Sequence, residues 1–171
     1  MENTVIWLTG LSGAGKTTLG ESLSSIFGST PVIFVDGDEI RKERPNLGFS
    51  KVDRESNVFH AVYKSFIHLN YKGGVAIVAL ISPYEESRQT AKKLLGNYAK
   101  ARFIEVYINT PLIVCEARDT KGLYKRAREG KLSDLTGIGD PYEAPSNPDV
   151  IITHEMSLPE AIELIYEKYC E

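Results

Sequence analysis

Residues 5–18 read VIWLTGLSGAGKTT, and they carry the most specific structural signal in the chain. An apolar run rich in β-branched residues comes first, and it has the length and composition of a buried strand. The eight residues that follow, GLSGAGKT, match the pattern G-x-x-x-x-G-K-[ST]. Glycines in such a loop let backbone N–H groups turn inward around phosphate oxygens, and the next helix adds the positive end of its dipole. The stretch therefore predicts a strand, a phosphate-binding loop and a helix, in that order.

The loop also predicts how a nucleotide is held. Lys16 would bridge the β- and γ-phosphates, and the Thr17 hydroxyl would ligate Mg²⁺. An accidental glycine-rich turn is the alternative, but the strand before the loop and the helix after it favour nucleotide binding. The predicted nucleotide contacts are Gly10, Leu11, Ser12, Gly13, Ala14, Gly15, Lys16, Thr17 and Thr18.

Apolar runs of strand length alternate with helical segments along the rest of the chain. The predicted strands cover residues 5–8, 32–35, 75–81, 103–108 and 150–152. The predicted helices cover residues 17–27, 51–71, 85–95, 111–118 and 158–169. Because strands that alternate with helices form right-handed crossovers, we expect an α/β fold of the P-loop NTPase type, a parallel sheet with helices on both faces.

Residues 119–148 differ from the remainder of the chain. They are rich in charged residues, glycine and turn-forming residues, and a short helix is predicted at 123–129. Segments of this composition often close over a bound substrate. We expect a single kinase domain that spans residues 1–171 and carries a mobile lid at about 119–148.

Composition excludes several classes of protein. The chain has 20 Lys and Arg against 23 Asp and Glu, a net charge of −3, which argues against nucleic-acid binding through bulk charge. No stretch approaches the roughly 18 apolar residues of a membrane span, and no signal peptide precedes the first strand. Cys115 and Cys170 lie far apart, so neither a disulfide framework nor a zinc site is predicted. We expect a cytoplasmic protein that binds small molecules rather than nucleic acid or membrane.

Missing motifs narrow the class of nucleotide-binding protein. The sequence contains no N-K-x-D tetrad for guanine, and the apolar run at 75–81 continues into Ser82-Pro83 rather than into an acidic residue. A chain of 171 residues also leaves little room for a partner-binding insertion. A kinase that acts on a small metabolite fits these features better than a GTPase or an ATPase motor.

Candidate groups for the second substrate follow the second predicted strand. Asp36 and Asp38 stand at its carboxyl end, where open parallel sheets bind ligands, and carboxylates there can orient Mg²⁺ or accept a proton from a hydroxyl. An Asp-Gly turn that caps a helix is the alternative. Further along the chain, Arg54 and Asn57 share a helix face, and Arg41 precedes them. Arginines close together suit a phosphate or sulfate group, although solvent-exposed arginines would give the same pattern.

Taken together, these motifs resemble the adenylylsulfate kinases over nearly the whole chain. The run KGLY at 121–124, with TGI and PYEAP further on, is specific to that family among kinases that share this loop. The motifs that carry the resemblance are GLSGAGKTT (10–18), DGDEIR (36–41), LGFS (47–50), DRESN (53–57), ISPY (81–84), CEARDTKGLYKRAR (115–128) and LTGIGDPYEAP (135–145).

The resemblance implies a reaction and a set of residue roles. It implies that the chain is an ATP- and Mg²⁺-dependent homodimeric enzyme of sulfate activation. The enzyme would transfer the γ-phosphoryl group of ATP to the 3′-hydroxyl of adenylyl sulfate. The implied catalytic residues are Lys16, Asp36 and Ser82, of which Asp36 would also contact the metal, as would Thr17. Arg118 would pack on the adenine of ATP. The implied substrate contacts are Asp38, Arg41, Phe49, Arg54, Asn57, Ile81, Ser82, Lys121, Gly122, Leu123 and Leu135.

Some positions depart from the family pattern. Glu39 replaces a common Asn, and Phe59 and His60 replace two basic residues beside the expected anion site. Leu135 replaces a Phe that would stack on the substrate base, and Gly139 replaces an Asp. These changes leave a different nucleotide acceptor open, such as cytidine diphosphoramidate. A non-catalytic nucleotide-binding partner of a sulfurylase is a third possibility, although the intact Lys16 and Asp36 argue against it.

Overall fold

A five-stranded parallel sheet forms the centre of the computed structural model, which describes residues 2–171. The spatial order is β2-β3-β1-β4-β5, and each neighbouring pair is parallel. The expected parallel α/β sheet is therefore confirmed. The strands are β1 Thr4–Thr9, β2 Val32–Asp36, β3 Val75–Ala79, β4 Arg102–Asn109 and β5 Val150–Thr153.

Seven helices connect and cover these strands in the described part of the chain. They are α1 Lys16–Ser24, α2 Gly37–Glu43, α3 Lys51–Tyr71, α4 Glu85–Tyr98, α5 Leu112–Arg118, α6 Leu123–Arg128 and α7 Leu158–Cys170. All of them except α2 lie where the sequence predicts a helix, with ends that differ by a few residues. The prediction missed α2 because it is short and begins at a glycine. Its N-cap is Asp36, whose Oδ1 accepts a hydrogen bond of 2.7 Å from the Asp38 amide.

Two apolar cores cover the two faces of the sheet. Alternate side chains of a strand point to opposite faces, so Ile6 and Leu8 cluster with residues of α1 and α7. Val5 and Trp7 cluster instead with residues of α3 and α4. All four side chains are fully buried. Helices on both faces explain why the central strands are continuously apolar rather than alternating.

The chain leaves the sheet earlier after β3 than the sequence suggests. The apolar run at 75–81 predicts a strand of that length, but β3 ends at Ala79. Leu80 and Ile81 instead line a cavity at the carboxyl end of the sheet. The hydrophobic pattern alone cannot show where the strand ends, because the apolar residues that follow β3 line the cavity instead of extending the strand.

Residues 119–148 cover this end of the sheet, and they are better anchored than their composition suggests. Tyr124 and Leu135 are almost completely buried and join the core on the α1 and α7 face. The Tyr124 hydroxyl donates a hydrogen bond of 2.9 Å to the Ser12 carbonyl of the phosphate-binding loop. The mobility expected of this segment therefore stays a prediction, and any opening must break these contacts.

Two further expectations concern membrane spans and the two cysteines. None of the helices in residues 2–171 is both long and apolar enough to cross a membrane. Cys115 is buried and Cys170 is exposed, and neither forms a disulfide bond.

Candidate active site

A cavity of about 620 Å³ opens at the carboxyl ends of β1, β2 and β3. Parallel sheets bind ligands at this edge. The predicted site residues that line the cavity are Ser12, Gly13, Gly15, Lys16, Thr17, Thr18, Asp36, Asp38, Arg41, Phe49, Arg54, Asn57, Ile81, Ser82, Arg118, Lys121, Leu123 and Leu135. The predicted residues that do not line it are Gly10, Leu11, Ala14 and Gly122. The predicted nucleotide and acceptor groups thus share one cavity.

Glycine is required at two points of the phosphate-binding loop. Gly13 has a φ of 74°, and a Cβ there would lie 3.1 Å from the Cys115 carbonyl oxygen. Gly15 has a φ of 110° and forms the N-cap of α1. Positive φ values are costly for residues with a Cβ, so these glycines allow the backbone to wrap toward the start of α1.

Lys16 lies buried at the base of the loop. Its Nζ donates hydrogen bonds to the carbonyls of Gly10 (2.9 Å) and Leu11 (2.7 Å). Burial and, to a smaller extent, the charge of Lys121 lower its pKa to about 8. The ammonium group is therefore poorly solvated and available to exchange carbonyl partners for phosphate oxygens.

The first carboxylate of the DGD motif has two contacts. Asp36 Oδ1 caps α2, while Oδ2 accepts a hydrogen bond of 2.7 Å from the Thr17 hydroxyl. The two interpretations of this motif are therefore not exclusive, because one carboxylate caps a helix and also faces the phosphate-binding loop. Asp38 forms an ion pair with Lys121 across the mouth of the cavity, which joins α2 to the segment at 119–148.

An aromatic ring and a guanidinium group stack at the other end of the cavity. The Arg41 guanidinium lies 4.4 Å from the centroid of the Phe49 ring, and its Nη1 donates to the Gly48 carbonyl at 2.7 Å. Partial burial and the charge of Arg54 lower the pKa of Arg41. Two cations so close together create a positive potential that favours an anionic ligand.

Arg54 and Asn57 are buried and line the cavity from the same face of α3, as their spacing predicts. Arg54 Nε donates to the Phe49 carbonyl at 2.8 Å, and the other two nitrogens contact Thr136 Oγ1 and the Asp134 carbonyl. Arg54 therefore holds the 134–136 backbone against α3 as well as facing the cavity. Asn57 Oδ1 is buried and has no hydrogen-bond partner within residues 2–171.

Ser82 follows β3 and has an unusual backbone for a serine, with a φ of 39°. Its hydroxyl accepts a hydrogen bond from Trp7 Nε1 (3.1 Å) and donates to Thr9 Oγ1 (3.1 Å). The hydroxyl proton is thus directed at another hydroxyl rather than at a carboxylate or imidazole that could remove it. This arrangement favours positioning over a nucleophilic role.

Two departures from the family pattern lie away from this cavity. Phe59 lines a separate cavity of about 200 Å³ between α3 and α4. His60 Nε2 lies 3.5 Å from a Glu43 carboxylate oxygen. The expectation that Phe59 and His60 remove positive charge beside the anion site is therefore wrong, because both lie outside the main cavity wall.

The other departures have clear structural consequences. Leu135 is almost completely buried and lines the cavity. A Cβ at Gly139 would overlap the carbonyl oxygen of Ser133, so the loop conformation found here requires glycine. Glu39 lies on the exposed side of α2, where its carboxylate pairs with Lys42 at 2.5 Å.

Two further arginines, Arg118 and Arg88, contact the walls of this cavity. Arg118 Nη1 donates to the Gly13 carbonyl at 3.0 Å, which places its side chain at the edge of the phosphate-binding loop. Arg88 was missed by the sequence reasoning, although it is fully buried and contacts the wall that contains Ser82. The available signal was its position on α4, where it falls in phase with the buried Ala91 and Leu95.

The cavity combines a phosphate-binding loop, which carries Lys16 and Thr17, with a carboxylate that faces the loop and with arginines further along the wall. These are the groups of a small-molecule kinase with the P-loop fold. The family model described as adenylylsulphate kinase matches residues 2–153. The chain belongs to this family, so the family and the enzyme class predicted from the sequence motifs are confirmed.

The relatives agree with this assignment. An adenylyl-sulfate kinase of Synechococcus sp. (strain JA-2-3B'a(2-13)) is 44% identical over 166 residues, which cover 95% of this chain and 91% of that protein. One from Microcystis aeruginosa is 43% identical over 170 residues, covering 97% and 91%. Among solved structures, the Mycobacterium tuberculosis APS kinase CysC in complex with AMPPNP and APS has a TM-score of 0.90 at 34% identity and covers 99% of each chain.

Proposed function

We propose that the chain transfers the γ-phosphoryl group of ATP to the 3′-hydroxyl of adenylyl sulfate. The observation that carries this proposal is the layout of the main cavity. Its nucleotide end contains Lys16 and Asp36, and its other end contains Phe49 and Arg54, within one volume of about 620 Å³. The similar Mycobacterium tuberculosis structure contains an ATP analogue and APS together, which supports the same pair of ligands here.

The nucleotide end supplies charge to the transferred group. Phosphoryl transfer depends chiefly on positioning and on neutralising negative charge, and Lys16 is the buried cation of the loop. Asp36 would receive the acceptor hydroxyl or its proton, because it is the carboxylate that faces both the loop and the cavity. Arg118 would cover the base of ATP from the edge of the loop.

We also propose Mg²⁺ as the metal that accompanies ATP. Mg²⁺ prefers oxygen ligands and usually binds through one or two protein groups plus phosphates and water. Thr17 Oγ1 and Asp36 Oδ2 lie 2.7 Å apart at the cavity wall, so the donor set fits such a shared site. When bound, the metal would neutralise charge on the β- and γ-phosphates.

The acceptor end has the groups that an adenine nucleotide with an anionic tail requires. The Phe49 ring offers a stacking surface for the base. Arg41 and Arg54 supply positive charge for the phosphosulfate. A buried carbonyl oxygen without a partner is unfavourable, so Asn57 Oδ1 would gain from a hydrogen bond donated by the substrate.

A coupled assay of ADP release tests this function. The unaltered chain is supplied with Mg²⁺, ATP and one acceptor at a time, chosen from adenylyl sulfate, AMP and a cytidine diphosphate derivative. We expect ADP release with adenylyl sulfate and formation of the 3′-phosphorylated product. ADP release with none of these acceptors by a folded chain would support the non-catalytic alternative instead.

One observation favours a second candidate, a kinase for another nucleotide. Leu135 occupies a position where an aromatic ring would stack on the base, and its aliphatic side chain provides burial without stacking. The same panel of acceptors decides between the two, because a faster reaction with the cytidine derivative would identify the second candidate.

We further propose that residues 1–171 form one domain and that residues 119–148 move when ligands bind. The ion pair between Lys121 and Asp38 joins this segment to α2, so a movement of the segment away from α2 would break it. A cytoplasmic location is supported by the free thiols of Cys115 and Cys170, which suit a reducing compartment.

Self-association as a homodimer is supported by the outer face of α3. Val52, Phe59, Tyr63 and Ile67 form an exposed apolar stripe along this helix, opposite its buried face. Exposed apolar stripes of this length mark contact surfaces, and a two-fold pairing would place the same stripe on both sides.

Light scattering tests this surface. Tyr63→Glu should convert a dimer to a monomer, because it places a charge at the centre of the stripe. Ile113→Glu is the control, since Ile113 is an exposed apolar residue on α5. A dimer that persists in Tyr63→Glu would assign the contact to another surface.

A further inference from the structure

Arg88 on α4 is one of the largest fully buried side chains in the described structure, with 1% of its surface exposed. A buried guanidinium is costly unless its charge is paired and its N–H groups are bonded. Arg88 meets both conditions, and it does so with groups from four different parts of the chain. Its partners are Glu105 Oε1 (2.8 Å), the Ser82 carbonyl (2.8 Å), Glu85 Oε2 (2.5 Å) and the Glu143 carbonyl (2.8 Å).

The carboxylates account for the charge of Arg88. Glu105 lies on β4 and is also buried, and burial raises its pKa while the charge of Arg88 acts in the opposite direction. Glu85 supplies a second carboxylate from the first turn of α4. Charge pairing alone therefore does not explain why the two remaining hydrogen bonds go to backbone carbonyls of two separate segments.

The first of these segments is a wall of the main cavity. Leu80, Ile81, Ser82 and Pro83 follow β3 and all line the cavity. Ser82 has a left-handed backbone that a serine adopts at a cost, so neighbouring contacts must hold it in place. Its hydroxyl is held by Trp7 and Thr9, and its carbonyl is held by Arg88.

The second segment is the carboxyl-terminal part of residues 119–148. Its backbone joins the same wall, because the Glu143 amide donates to the Pro83 carbonyl at 2.8 Å. The Glu143 carboxylate accepts from the Glu85 amide at 2.7 Å, and its carbonyl accepts from Arg88. Arg88 thus lies at the junction between the cavity wall and the covering segment.

We infer that Arg88 is a positioning residue for the acceptor site, which it shapes by holding the Leu80–Pro83 wall and the Glu143 backbone together. Arg88 does not itself line the cavity, so it acts through these segments. None of the hydrogen bonds of Arg88 reaches the phosphate-binding loop. This inference rests on the proposed function, and it assigns to Arg88 an effect on the acceptor rather than on ATP.

Arg88→Lys is the primary test, measured as KM for adenylyl sulfate and KM for ATP in the coupled assay. An ammonium group keeps the positive charge beside Glu105 but cannot reach all four acceptors of the planar guanidinium. The loss of one hydrogen bond in the wall corresponds to about a tenfold rise in KM for adenylyl sulfate, and we expect KM for ATP to change less than about twofold.

Arg102→Lys is the matched control. Arg102 also donates to two backbone carbonyls, those of Lys168 (2.7 Å) and Tyr169 (3.1 Å), but these lie at the end of α7. The control should lower thermal stability without a selective change in KM for adenylyl sulfate. Trp7 is the single tryptophan of the chain and donates to Ser82, so its fluorescence emission should change in Arg88→Lys and not in Arg102→Lys.

A second variant keeps the test decisive if Arg88→Lys does not fold. Arg88→Met combined with Glu105→Leu removes both buried charges, and such replacements are often neutral or stabilising. The double variant still lacks the donors to Ser82 and Glu143, so it should show the same selective rise in KM. If KM for adenylyl sulfate is unchanged in the folded variant, or if both KM values rise equally, the inference is wrong. An unaltered chain that does not phosphorylate adenylyl sulfate would instead overturn the proposed function.

Discussion

The depressed pKa of Lys16 predicts that ATP binding weakens in mildly alkaline solution. Burial is the main cause that lowers this pKa to about 8, and the nearby charge of Lys121 adds to it. The phosphates of ATP bind the protonated amine, so binding takes up protons once the pH exceeds the pKa. A pKa of about 8 leaves about nine in ten molecules protonated at pH 7 and about one in ten at pH 9.

The expected change is therefore about a tenfold increase in the Kd for ATP from pH 7 to pH 9, or about 1.4 kcal/mol. Isothermal titration calorimetry over this range measures it. The other titratable groups that act on Lys16 are Asp36, Asp38 and Cys115. Burial raises the pKa of Cys115, so its thiol stays largely neutral over most of the range.

Lys121→Gln provides the discriminating variant. Removing this cation takes away an unfavourable charge beside Lys16, so the pKa of Lys16 rises and the loss of affinity moves to higher pH. Lys16→Arg should instead bind ATP with no dependence on pH in this range, because a guanidinium stays charged. A Kd that is constant from pH 7 to 9 in the unaltered chain would contradict this prediction. So would a loss of affinity that moves to lower pH in Lys121→Gln.

Three other predictions concern the two ends of the cavity and its cover. Asp36→Asn should lower kcat far more than it raises the Kd for ATP, whereas Arg54→Ala should chiefly raise KM for adenylyl sulfate. Steady-state kinetics on both variants measure this, and the reverse pattern would mean that the two roles are exchanged. Leu135→Phe should tighten adenylyl sulfate about threefold to tenfold, since an aromatic pair contributes about 0.5–1.5 kcal/mol; weaker binding would indicate that leucine suits a different base. Hydrogen exchange at residues 121–128 should slow when both ligands bind, and equal protection with and without them would contradict a moving lid.

The phosphate-binding end of the site could be read from sequence because local chemistry determines it. Gly13 and Gly15 adopt backbone conformations that favour glycine, and Lys16 and Thr17 follow at the start of a helix. These constraints lie within a few consecutive residues. The motif therefore predicts the local geometry wherever it stands between a strand and a helix.

The acceptor end could be predicted only in part, because its geometry depends on contacts between distant segments. The spacing of Arg54 and Asn57 predicts a shared helix face, and both do line the cavity. That spacing cannot show that Arg54 also contacts residues 134–136. Phe59 gave a misleading signal for the same reason, since a position two residues after Asn57 does not place its side chain in the same cavity.

Arg88 shows why charged residues in a helix are easily misread. A charged side chain among Glu85, Glu86 and Lys92 has the sequence pattern of a solvent-exposed helix face. Its partners Glu105 and Glu143 stand far along the chain, so only the tertiary structure shows that the charge is buried and paired.

The contact between Tyr124 and Ser12 links the cover of the site to its nucleotide end. Composition suggested a lid without apolar anchors, but Tyr124 is buried and its hydroxyl donates to the Ser12 carbonyl in the phosphate-binding loop. Burial raises the pKa of Tyr124, so the hydroxyl keeps its proton and remains a donor. Opening of α6 would break this buried hydrogen bond. A nucleotide that orders the phosphate-binding loop would also order the Ser12 carbonyl that accepts the bond. We therefore expect closure of the cover to be coupled to ATP through the loop itself.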